Sequence, residues 1–241
     1  MGQERLDKLL SSTGRWSRKE VKDLVRQGRV LADGRPVARP EEKYDPLCSQ
    51  LQVDGTVVDC APYVYVMMHK PDGVVSATED REERTVVELL PNELRRRGLF
   101  PVGRLDKDTT GLLLLTDDGA LAHELLSPRK HVDKTYLAHV DGQVDQSDVD
   151  AFAQGLILGD GLACMPAGLE PLGDGSACLV TLREGKFHQV KRMLAARGKP
   201  VQRLKRLTMG PLKLDEKLMP GNWRYLTRQE MADLKHSAGI S

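Results

Sequence analysis

Asp106 and Asp108 stand two residues apart, just after Arg104, in the stretch PVGRLDKDTTGLLLLTDDG from Pro101 to Gly119. A carboxylate can serve as nucleophile or general base, and neither task needs a cofactor. In a pocket it loses solvation, so a cationic partner is needed to keep it ionised. Three chemistries compete for the pair. A calcium loop of the D-x-D-x-x-G kind is disfavoured, because the leucines that follow supply no oxygen ligands and the closing Glu is absent. A phosphotransferase D-x-D-x-T, with Asp106 as the phosphorylated group, should follow an apolar strand. Here the apolar run comes after the motif, and no GxxxxGKS/T phosphate loop accompanies it. The third chemistry is an aspartate that acts on RNA. Beside all three stands a turn whose Asp side chains only cap backbone N–H groups, which composition and spacing leave open.

The elements around the pair must hold it at the mouth of a strand. Leu112 to Leu115 reads as a buried strand between the Thr109-Thr110-Gly111 turn and the Asp117-Asp118-Gly119 turn. Tyr63 to Met68, Lys134 to Val140 and Ala177 to Arg183 have strand character. Helices are expected over Thr85 to Leu90, interrupted by Pro91, and over Ala120 to Leu126, stopped by Pro128. Others are expected over Val149 to Gly155, over Phe187 to Arg197 and over Thr227 to His236. Helices are too few and too irregular for a doubly wound fold. The expectation is α+β, with a mixed, mostly antiparallel sheet flanked by helices.

The length of 241 residues allows one large domain, or a large one with a small one. With 40% hydrophobic and 29% charged residues, the chain has the composition of an ordinary globular protein. Aromatics make up only 4%, so each exposed Tyr or Phe merits scrutiny. The net charge of +1 hides an uneven distribution. No acidic residue lies between Glu184 and Asp215, an interval that carries nine lysines and arginines, among them Lys186, Lys191 and Arg192. A milder positive excess runs from Met1 to Pro40. Two basic regions in a near-neutral chain imply a polyanion contacted locally, against the alternative of two solvated faces. Cys48, Cys60, Cys164 and Cys178 show no CxxC spacing and no zinc pattern. Reduced thiols, no signal peptide, no metal, no membrane and a cytoplasmic location are expected.

Near the start, Leu6, Leu9 and Leu10 share one side of a short helix over residues 4–13. Ser17 and Glu20 form a capping-box pattern that opens a second helix running to about Gly28. At 100° per residue this helix sorts Val21, Leu24 and Val25 from Arg18, Lys19, Lys22 and Arg26. A separate basic face suits phosphate contact, and a module of 59 residues has too small a core for much else. The segments RLDKLL at 5–10, SRKEVKDLVRQGRVLADGRPV at 17–37 and QVDG at 52–55 resemble the S4 RNA-binding domain. The resemblance implies that Arg18, Lys19, Lys22 and Arg26 bind structured RNA. The chain is expected to divide into residues 1–59, an S4 domain, and 60–241, a catalytic domain.

GRLDKDTTGLLLLTDDG resembles the signature of pseudouridine synthases of the RsuA and RluB type. Lys70 to Gly73 is similar to that family's KPxG element, Lys134 to Tyr136 to its KTY element, and Glu184 to Met193 to its EGRxHQVKRM element. One departure is His69, where relatives often have Asn. The resemblance implies an isomerase that uses no cofactor and converts uridine to pseudouridine, with Asp106 as the catalytic residue. Lys191 would pair with Asp106, with Arg192 as the neighbouring alternative. Tyr136 would stack on the target uracil, and Arg104 would fill the space of the flipped base or hold a phosphate. Lys186 and Arg192 would bind RNA, and the whole acid-free interval would line an RNA channel. Asp108, Thr109 and Thr110 would shape the loop. HQVKRM, SPRKHVDKTYLA and RLDKDTTG point to the small-subunit type that acts on 16S rRNA, at its uridine 516. The implied partner is ribosomal RNA or a pre-ribosomal small-subunit particle, met by a monomer. The alternatives are a 23S rRNA enzyme of the same family and a non-catalytic ribosome-assembly factor.

Overall fold

A computed structural model of the chain describes residues 2–46, 48–127, 130 and 132–240. Pro128, Arg129 and His131 of the SPRKHVDKTYLA run lie outside them, as does the expected stop at Pro128. The chain divides into two compact units: Met1–Val64 with Leu90–Leu99, and Tyr65–Leu89 with Phe100–Ser241.

The first unit opens with β1 (Glu4–Arg5), α1 (Leu6–Ser12) and α2 (Arg18–Arg26). The Ser17–Glu20 capping box is present: the Ser17 hydroxyl accepts from the Glu20 N–H at 3.2 Å, and the Glu20 carboxylate accepts from the Ser17 N–H at 2.6 Å. Val21, Leu24 and Val25 are buried against α1, whereas Arg18, Lys19, Lys22 and Arg26 are exposed. Then follow β2 (Val30–Ala32), β3 (Arg35–Pro36), β4 (Lys43–Tyr44), β5 (Leu51–Val53) and β6 (Thr56–Val58). Antiparallel pairing gives the order β3-β2-β5-β6, while β1 pairs with β4.

Two expectations fail at Pro91. The helix expected over residues 85–90 is only a 3₁₀ turn at Val87–Leu89, and a helix, α3 (Asn92–Arg97), begins after Pro91. Proline has no N–H to donate and a φ fixed near the helical value, so it suits the start of a helix as well as its end. The Pro91 backbone is extended at φ −66°, ψ 157°, and forms the N-cap. Helix α3 belongs with the first unit, across the boundary expected at residue 59. Gly14 explains how it fits: a Cβ there would lie 1.9 Å from the Glu93 carbonyl oxygen. The Arg97 guanidinium also donates to the Ala61 carbonyl at 2.7 Å.

The second unit contains β7 (Tyr65–Lys70), β8 (Phe100–Pro101), β9 (Thr109–Thr116), α4 (Gly119–Leu126), β10 (Lys134–Val140), α5 (Gln146–Gln154), β11 (Gly168–Leu172), β12 (Ala177–Leu182), α6 (Gln189–Ala196), β13 (Val201–Met209), β14 (Leu212–Lys213), β15 (Trp223–Tyr225) and α7 (Arg228–Ala238). The sheet runs β11-β12-β10-β13-β9-β7-β15, with β14 on β13 and β8 on β9. Among the described residues β9 and β13 form its one parallel pair, and the other ladders are antiparallel. The expected α+β class with a mixed, mostly antiparallel sheet holds. Leu112 to Leu115 have no exposed surface. Consecutive side chains on a strand face opposite ways, so this leucine run marks a strand covered on both sides.

Gly111 has φ +106°, and a Cβ there would lie 2.2 Å from the Arg206 carbonyl oxygen on β13. Strain and a backbone clash combine in Gly111→Ala. Thermal denaturation should show a loss of at least about 1 kcal/mol; a variant as stable as wild type would mean that β9 and β13 can part without cost. Among the described residues no helix is long and apolar enough to cross a membrane, and no group of three or more His, Cys, Asp or Glu side chains could hold a metal ion.

Candidate active site

The site lies where the loop from Arg104 to Asp108 enters β9. The Asp106 carbonyl accepts the Thr109 N–H at 3.0 Å, which closes the turn. Two buried side chains brace it. The Ser76 hydroxyl donates to the Leu105 carbonyl at 2.9 Å and accepts the Leu105 N–H at 3.0 Å. Lys70, wholly buried at the end of β7, donates to the carbonyls of Pro71 and Lys107 at 3.0 Å each and of Thr109 at 2.9 Å. Its neighbour His69 directs Nδ1–H to the Leu218 carbonyl at 2.6 Å, which accounts for the hydrogen bonding at that departure from the family pattern.

Burial pushes the Lys70 ammonium down from 10.5 to about 8, against the pull of Asp72, Asp108 and Asp106. Between these two values the unfolded chain holds a proton that the folded chain has released. Stability contributed by this group therefore rises with pH across that window. Activity should move the other way, because a neutral amine has two N–H donors for three carbonyls and the loop loosens. A kcat profile should fall on the alkaline side with a midpoint near pH 8. A profile flat to pH 10 would contradict the bracing role.

Helix α6 supplies the cation. Lys191 Nζ lies 2.9 Å from Asp106 Oδ2 and donates to Asp108 Oδ1 at 2.5 Å. The Asp106 side chain is 27% exposed and that of Asp108 70%, so the first sits in the cleft and the second on its rim. Desolvation pushes the Lys191 pKa down, but hydrogen bonds to Asp108 and Asp106 outweigh it, and the group stays above the ordinary lysine value. The Lys191 hydrogen bond in turn holds the Asp108 carboxyl below its usual range. Arg192 is not brought to Asp106; its guanidinium pairs with Asp160 at 2.6 Å.

Arg104, Asp106, Thr109, Tyr136, Lys186 and His188 line a cleft of about 80 Å³. Arg104 is exposed, and Tyr136 on β10 is half-buried. The Thr109 hydroxyl is buried with no hydrogen-bond partner among the described residues. His188 is a site residue that the sequence reading misses. Its Nε2 lies 3.4 Å from Asp106 Oδ1, and its backbone is left-handed at φ 50°. That turn also moves the start of α6 to Gln189, two residues beyond the start expected at Phe187. The one available signal was the His-Gln pair inside the EGKFHQVKRM stretch.

The acid-free interval is not one RNA-facing strip. Arg197 and Lys199 each lie 2.8 Å from Asp148, which is wholly buried, and so neutralise a charge in the core. Arg206 is 2% exposed and donates to the Leu112 carbonyl at 2.7 Å. Lys186 is half-buried, held by Glu184 at 3.1 Å and by the Ala163 carbonyl. In the first unit Arg26 pairs with Asp23 at 2.9 Å, whereas Arg18, Lys19 and Lys22 make no ion pair among the described residues.

A carboxylate held by an ammonium, in a small cleft that a tyrosine and an arginine also line, can serve as nucleophile or base. Comparison with known proteins gives that arrangement a class. Residues 64–196 match the family described as RNA pseudouridylate synthase, and residues 4–46 match the S4 domain. An uncharacterized RNA pseudouridine synthase of Bacillus subtilis is 48% identical over 230 residues, covering 94% of this chain and 96% of that protein. Ribosomal small subunit pseudouridine synthase A of Pseudomonas aeruginosa is 40% identical over 232 residues, covering 95% and 100%. A crystal structure of a pseudouridylate synthase superposes with a TM-score of 0.68 at 35% identity, covering 96% of this chain and 99% of that one. The chain belongs to the RNA pseudouridylate synthase family, and it is an isomerase with an S4 domain ahead of its synthase fold.

Proposed function

We propose that the chain converts a uridine of 16S rRNA to pseudouridine, with Asp106 as the catalytic carboxylate. The reaction breaks the bond from N1 of uracil to C1′ of ribose and joins C5 to C1′, while a proton leaves C5 and one is gained at N1. Asp106 serves as the nucleophile or base for this exchange, and Lys191 compensates its charge. Tyr136 stacks on the detached uracil and keeps it in the cleft. Arg104, exposed at the cleft edge, fills the place left by the flipped base or holds a phosphate. The observation that carries the reading is the 2.9 Å contact of Lys191 with Asp106, which lines one cleft with Tyr136.

The choice of 16S rRNA rests on relatives in Pseudomonas aeruginosa and Vibrio cholerae, both named ribosomal small subunit pseudouridine synthase A and each 40% identical to this chain. Arg18, Lys19, Lys22 and Arg26 hold RNA through phosphates, so affinity falls steeply with salt. Lys186 and Arg192 contribute at the cleft once RNA competes with their present partners. The enzyme works as a cytoplasmic monomer on the RNA, free or in a pre-ribosomal small-subunit particle. Tritium release from transcripts labelled at C5 of uridine tests this. Release from the 16S transcript is expected. Release from 23S alone would transfer the assignment to the large subunit, and release from neither would favour a non-catalytic assembly factor.

A further inference from the structure

Phe187 is one of three phenylalanines in the chain, and it is 75% exposed. It occupies the unspecified position of the EGRxHQVKRM element, so the resemblance assigns it no role. Its ring stacks on His188, with centroids 3.8 Å apart and planes 19° from parallel. His188 lines the cleft and lies 3.4 Å from Asp106, so the stacked pair stands beside the reacting carboxylate. The segment that carries it is braced. The buried Gln189 accepts the Lys186 N–H at 3.0 Å and donates to Glu184 at 2.5 Å, and Glu184 accepts the Met165 N–H at 2.9 Å.

We propose that Phe187, backed by His188, is a stacking shelf for the nucleobase next to the target uridine. This rests on the function proposed above, which gives Tyr136 to the target base itself. An aromatic ring with one face against an imidazole offers its other face to a planar partner. Extruding a nucleotide breaks its stacking with both neighbours, and an aromatic shelf at the mouth restores one of those contacts. The occupant is a base rather than a protein side chain. Phe187 follows the cationic Lys186, and the His188 behind it lies 3.4 Å from Asp106, so the ring stands where the proposed function brings RNA.

The test compares wild type, Phe187→Ala, Phe187→Leu and Phe187→Trp on a 16S rRNA transcript. Kd is measured across a salt series and KM and kcat by tritium release. Phe187→Ala should weaken Kd and raise KM about tenfold, with a smaller effect on kcat. The slope of log Kd against log salt should not change, because no phosphate contact is lost. Phe187→Trp should restore affinity and Phe187→Leu should not. The thermal midpoint of Phe187→Ala should match wild type, because the ring is exposed. Kd within twofold of wild type for Phe187→Ala would overturn the proposal, as would rescue by Leu equal to that by Trp. If the wild type releases no tritium, the proposed function fails, but the Kd series still decides whether the shelf binds RNA.

Discussion

Asp106→Asn is expected to lower turnover by on the order of 10³-fold or more while leaving RNA affinity within a few-fold of wild type. The amide has almost the shape of the carboxylate, but it offers neither a negative charge nor a lone pair basic enough to attack ribose or take a proton. Binding should survive because the RNA contacts proposed above, Arg18, Lys19, Lys22 and Arg104, are exposed and remain in the variant. Tritium release reads the first effect and filter binding the second. Activity within tenfold of wild type would remove Asp106 from the chemistry. A collapse in affinity would show that the residue serves mainly to hold the loop.

Lys191→Met comes second in expected size, at on the order of 10²-fold in kcat. Methionine keeps the length of the side chain and removes the ammonium that now lies within 2.9 Å of Asp106 and 2.5 Å of Asp108. Two carboxylates would then face each other with no cation between them. The same change should alter the dependence of stability on pH, and the signs are fixed by the two partners. Lys191 is raised, so its contribution is complete below the ordinary lysine value and is lost as pH rises through the higher folded value. Asp108 is lowered, so its contribution is present above the ordinary carboxylate value and is lost as pH falls through the lower folded value. The variant should thus be less stable than wild type at neutral pH, with the gap closing toward acid. Lys191→Arg should recover part of both properties. A Lys191→Met enzyme within threefold of wild-type kcat would mean that Asp106 needs no cation.

Much of this was legible in local chemistry. The leucine run reads as a buried strand, the Ser17–Glu20 pair as the start of a helix, and the Arg104–Asp108 stretch as polar chemistry at the mouth of that strand. Each signal is local, carried by residues within a turn or two of one another. The misses depend on distant contacts. Locally Pro91 reads as a break, because nothing near it reports that Gly14 leaves room for α3. The basic interval resembled a continuous RNA surface, because the buried Asp148 that takes up Arg197 and Lys199 lies 49 residues before the first of them. His188 falls inside the helix expected over Phe187 to Arg197, so no local backbone signal marks it. Its left-handed backbone, which turns the imidazole toward Asp106, is unusual for a residue other than glycine and has no sequence pattern.

The 16S target and the role of Asp106 are tested together by pseudouridine mapping of total rRNA, in cells lacking this chain and in the same cells supplied with wild type or Asp106→Asn. One 16S position should lose its pseudouridine, regain it with wild type and stay unmodified with Asp106→Asn. An unchanged map in cells lacking the chain, or recovery with Asp106→Asn, would contradict it.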